Sequence, residues 1–198
     1  MLKTLSNALS RGMIVAASGW LLSACSGVDV APTAPILQPT AAAAVSVNAS
    51  VATAAAVTSV KTLGRMVPLA RPLSASAAIG PAGGTLSLPS AGLRLVVPAG
   101  AVSSVVTFSV TALPGNAVAY QFAPHGITFK VPLQLQQGLG QTTWLPGLTM
   151  RGGYFKDAKQ VDTKLRKADV DELFPALRSG GSAILEIRHF SGYLIAMG

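Results

Sequence analysis

Gly80–Gly100 reads GPAGGTLSLPSAGLRLVVPAG, and the fold turns on its pattern. Leu86 and Leu88 stand two apart in one short run, and Leu93, Leu95 and Val97 do so in the next. Successive side chains of a strand point to opposite faces, so each run places its apolar residues on one side, as in a half-buried strand. The Gly-Pro-Ala-Gly-Gly and Pro-Ser-Ala-Gly clusters around them read as turns. Pro98 stops the second strand because it has no amide proton to offer a ladder. Gly100 allows a backbone conformation that other residues resist, after which Ala101 and Val102 return to the core.

The same period continues downstream. Val106, Phe108, Val110 and Ala112 form one face of VVTFSVTAL, and Ile127, Phe129, Val131, Leu133 and Leu135 form one face of ITFKVPLQL. Pro132 lies inside the latter run, which argues for a sheet edge or a bulge there. Short strands separated by Gly/Pro turns predict an all-β, antiparallel β-sandwich. The segment Asp157–Gly181 breaks the pattern and carries most of the charge of the region. Asp169-Val170-Asp171-Glu172 predicts one short helix, with Asp169 as N-cap and Glu172 reaching back. Pro175 would limit it, and Gly180-Gly181 would end it.

Upstream the texture differs. From Ser26 to about Pro72 the chain is Ala, Val, Thr, Ser and Pro, with little charge and no aromatic residue. Such composition buries too little apolar surface to offset ordering entropy, so a disordered tether is expected. About 45 residues of it would span roughly 35–40 Å. Ahead of that, Lys3 and Arg11 precede a short apolar stretch, Met13–Leu22, followed by small residues. This is the layout of a secretory signal, and the apolar stretch falls well short of the ~20 residues that span a bilayer.

Leu22-Ser23-Ala24-Cys25 resembles the bacterial lipobox. The resemblance implies a signal peptide over 1–24, lipid on the Cys25 sulfur, and membrane attachment. Several acyl chains anchor stably, since each buried CH₂ contributes ~0.8 kcal/mol. Ser26 after the cysteine, where an Asp favours inner-membrane retention, points to the outer membrane. Cys25 is the single cysteine, so no intramolecular disulfide can staple the fold.

The segments GPAGGTL, VPAGAV, PHGITF and the closing HFSGY, in that order over about Ile79–Ile195, resemble the ZU-five module. That resemblance implies a β-sandwich, taken here as 73–198 after a tether at 25–72, used for protein contacts. Some members of the family resemble self-cleaving proteins at a His-Phe-Ser triplet. Carried over, Ser191 would attack the Phe190 carbonyl with help from His189. In the simpler alternative the triplet belongs to a strand, with His189, Ser191, Tyr193 and Ile195 on one face and Phe190, Leu194 and Ala196 on the other.

Other chemistry finds little footing. His125 and His189 are the two histidines, and no His/Cys set suggests zinc. The acids form no paired couple, and GPAGG is a turn rather than a phosphate loop. No cofactor is implied. The net charge of +8 favours anionic neighbours, and Lys156, Lys159, Lys164, Arg166 and Lys167 form a candidate contact for anionic lipid or lipopolysaccharide. Export disfavours nucleic acid. Trp144, Tyr154 and Phe155 are candidate partner contacts. The expected function is therefore non-catalytic: a lipid-anchored sandwich that binds a protein or envelope polymer. A self-processing module and a structural spacer are the alternatives.

Overall fold

The computed structural model describes residues 56–198; the leader, Cys25 and the first part of the tether lie outside them. Most of the described residues lie in strands. β1 (Thr58–Thr62) and β2 (Gly64–Leu69) come first, followed by β3 (Leu73–Ile79), β4 (Gly84–Leu88) and β5 (Leu93–Val97). β6 (Val106–Ala112), β7 (Gly115–Ala117), β8 (Ala119–Ala123) and the long β9 (Thr128–Gly138) form the middle of the chain. β10 (Met150–Phe155), β11 (Val161–Asp162), β12 (Lys167–Val170) and β13 (Glu172–Pro175) follow. β14 (Leu177–Ser179), β15 (Ser182–His189) and β16 (Gly192–Met197) end it.

Two antiparallel sheets pack face to face. The smaller runs β14-β15-β9-β5-β4. The larger is built around β16, which pairs with β10 along one edge and with β8 and β1 along the other. β8 leads on to β6 and β3, β1 to β12 and β11, and β10 to β13. β2 and β7 form a separate two-stranded ribbon. The main core lies between the sheets: Leu86, Leu93, Leu95, Leu133, Leu135, Leu185 and Ile187 meet Phe108, Val110, Tyr120, Phe122, Tyr193 and Ile195. A second, smaller core covers the outer face of the large sheet with Phe155, Val161, Ala168, Val170, Leu194 and Ala196.

The alternating strands read from sequence are all present, and Pro132 sits in a bulge. Ile187 pairs with Leu133 but His189 pairs with Thr128, so β9 spends extra residues there, and Val131 turns outward. Gly100 has φ +79° and Ala101 and Val102 are buried, as the turn required.

Two expectations are corrected. The sandwich begins at Thr58 rather than at residue 73: β1 and β2 belong to it, and Leu63 is fully buried. The helix expected at Asp169 is absent. Ala168 and Val170 are buried while Lys167 and Asp169 are exposed, so β12 is a period-two strand packed on the second core. Gly180 and Gly181 close the β14–β15 hairpin with φ +54° and +76° at its two central positions, as a type I′ turn demands. The helical turn in this segment is instead a 3-10 turn at Ala158–Gln160. There Asp157 and Gln160 form the capping box.

Candidate functional site

His189-Phe190-Ser191 is the crossing between the two sheets. β15 ends at His189 in the small sheet and β16 begins at Gly192 in the large one. The backbone is handed over within two residues: Phe190 N donates to Ile127 O at 3.0 Å, and Phe122 N donates to Ser191 O at 2.9 Å. The crossing resets the alternation expected across this stretch. Phe190 joins Tyr193 and Ile195 in the main core rather than Leu194 and Ala196, and its ring lies 4.8–5.3 Å from those of Phe108, Phe122 and Phe129.

The two polar members of the triplet look different ways. Ser191 is buried and its Oγ donates to Phe155 O at 3.1 Å. His189 is half-buried, and its Nδ1 lies 3.1 Å from Tyr193 Oη. Tyr193 Oη donates its proton to His189 O at 2.8 Å. A phenol has one proton, so with that proton on the carbonyl the Nδ1 contact requires the tautomer that carries its proton on Nδ1. Among the described residues no hydrogen bond joins His189 to Ser191. The serine hydroxyl faces a carbonyl, which is no base.

Beside this crossing lies a groove of about 440 Å³, where β13 of one sheet gives way to β14 of the other. Its walls are Tyr154, Phe174 and Tyr193, with His189 edge-on to Tyr154 at 4.8 Å. Phe174 stands edge-on to Tyr193 at 6.1 Å and 81°. Gly152 lies opposite Phe174 in the ladder, and a Cβ there would run into the ring, so the glycine seats this wall. Glu172, Glu186 and Arg188 supply the charge. Burial pushes the Tyr193 phenol well above its usual range, with the neighbouring Tyr154 and Glu172 adding to it.

Of the three aromatic residues expected to meet a partner, Tyr154 lines the groove. Phe155 does not: it is fully buried in the second core, where Gly192 leaves room for its ring. Trp144 is half-buried beneath the Arg178 guanidinium, which lies 5.0 Å from its ring centroid. The basic cluster is partly tied down. Lys156 pairs with Asp171 at 3.1 Å and Arg166 donates to Thr143 Oγ1 at 3.1 Å. Lys159, Lys164 and Lys167 remain exposed, and Lys61 joins them directly opposite Lys167.

The sequence does not reveal Glu172, Phe174 and Glu186 as one site, because Glu172 and Phe174 lie where a helix is expected, whereas they sit on β13, and Glu186 comes from β15 of the other sheet. No family model matches the chain, and no curated protein matches it.

Proposed function

We propose that the chain is a lipid-anchored, non-catalytic binding module of the ZU-five kind, held at the bacterial outer membrane by Cys25. The ligand seat is the aromatic groove beside His189, and its occupant is an extended segment of a partner polypeptide bearing a lysine or arginine. The observation that carries this reading is the convergence of Tyr154, Phe174 and Tyr193 with Glu172 and Glu186 in one groove. Aromatic faces and carboxylates together attract a cation. Among the described residues β13 pairs only with β10 and β14 only with β15, so each has an unpaired edge that can accept an added strand. Leu22-Ser23-Ala24-Cys25 supports the anchor, and the exposed Lys61, Lys159, Lys164 and Lys167 suit an anionic surface.

The test is site-specific cross-linking in intact membranes. A photoreactive phenylalanine at Tyr154 is expected to give one discrete adduct that weakens in a Glu172→Gln, Glu186→Gln background. The same probe at exposed Leu165 is expected to give none. Adducts of equal yield from both positions, or adducts indifferent to the two glutamates, would reject the groove as the seat. An adduct to a polysaccharide would replace the polypeptide by an envelope polymer. Fed palmitate should label the chain, and Cys25→Ser should abolish the label. Intact-mass analysis should find the Phe190–Ser191 bond whole; a fragment beginning at Ser191 would favour the self-processing alternative.

A further inference from the structure

At the far end of the β9–β15 ladder from His189, a second cavity of about 380 Å³ holds a charge without a partner. Arg65 is 8% exposed. Its Nη1 donates to Ala91 O at 2.9 Å and its guanidinium lies 5.4 Å from the Tyr120 ring centroid. Its Nε and Nη2 are buried and have no hydrogen-bond partner among the described residues. The pairing of those two nitrogens matters. Nε–H and one Nη2–H run side by side within the guanidinium plane and form the fork that grips a carboxylate through both oxygens. The single salt bridge among the described residues is Lys156–Asp171, so no acidic side chain there answers Arg65. A buried cation left in this state is costly, and a bidentate anion offsets that cost.

We propose that Arg65 and this cavity bind a carboxylate carried on a short apolar body. The cavity walls fit both halves of such a ligand. Met66, Leu69 and Ala91 are apolar, while Gln137 and Thr142 offer polar atoms beside Arg65. Tyr120 and Gln137 hydrogen-bond each other and hold the wall behind the guanidinium. Met66 on its wall is 64% exposed, so the cavity reaches the molecular surface.

The test titrates the full chain with hexanoate and, as a matched uncharged control, hexanamide, read by calorimetry and by the Arg65 Nε–H resonance. Hexanoate should bind roughly tenfold or more tightly than hexanamide and should shift the Nε–H signal, because a charge-assisted fork is available only to the acid. Arg65→Met should remove hexanoate binding, while its melting temperature in the absence of ligand should not fall. Should Arg65→Met fail to fold, Arg65→Lys serves in its place, since it keeps the charge but loses the fork and should weaken hexanoate to the level of hexanamide. Equal binding of acid and amide, hexanoate binding that survives both substitutions, or an unmoved Nε–H resonance would overturn the proposal. Displacement of hexanoate by chloride at equal concentration would do so too, by reducing the site to a non-specific ion pair.

Discussion

At the scale of single residues, Phe190 holds the sheet crossing in place. Its ring packs on three other phenylalanines and is 1% exposed. Phe190→Ala leaves a cavity between the two sheets and should cost about 3–5 kcal/mol in urea unfolding. That Phe190 was core was legible from its type, but its face was not. Period two holds only while a chain stays in one sheet, and here it changes sheets between His189 and Gly192. Burial pushes the phenols of Tyr120 and Tyr193 upward. Below about pH 10 both folded and unfolded chains keep these protons, so the two residues contribute no pH dependence there. As the pH rises beyond that, the unfolded chain releases protons the folded chain still holds, and stability falls. Unfolding midpoints should therefore be level from about pH 7 to 9 and drop above about pH 10, where a free phenol ionises. The drop should be shallower in Tyr193→Phe. An equally steep drop in that variant would contradict the role given to Tyr193.

At the scale of elements, Gln160 ties the start of the charged segment to β12 and the residue after it. Its Oε1 accepts from the amides of Lys156 and Asp157, and its Nε2 donates to Asp169 O and to Asp171 Oδ2. Burial alone would raise the Asp171 carboxyl, but the hydrogen bonds from Gln160 and Lys156 outweigh it and hold it below its usual range. Gln160→Ala should cost about 1–2 kcal/mol in thermal or urea unfolding, since several donors and acceptors lose their partner. Gln160→Glu should cost more, because it replaces a donor to Asp171 with a second negative charge. A smaller loss for Gln160→Glu than for Gln160→Ala would contradict this arrangement. The acidic run at Asp169–Glu172 resembled a helix start, yet Ala168 and Val170 already alternated with their polar neighbours. The strand was written there in a window too short to outweigh the capping signal.

At the scale of the whole molecule, the sandwich closes only with strands from the stretch assigned to the tether. β1 lies between β16 and β12, and Leu63 donates to Ile195 O and accepts from Val118 N. The sequence there offers no clean alternation, because Thr62, Leu63, Gly64 and Arg65 are buried in succession. Arg65 and its cavity were hidden for the same reason. A chain beginning at residue 56 should unfold cooperatively, whereas one beginning at residue 73 should lack a cooperative transition. Equal cooperativity of the two would show that β1 and β2 are dispensable. The functional account rests on the groove between the edge strands β13 and β14. Its most direct test follows the aromatic signals of Tyr154, Phe174 and Tyr193 while an extended lysine-bearing peptide is titrated into the protein. The prediction is a set of saturating shifts confined to the groove and absent when glutamate replaces the lysine; shifts elsewhere, or the same response to both peptides, would contradict it.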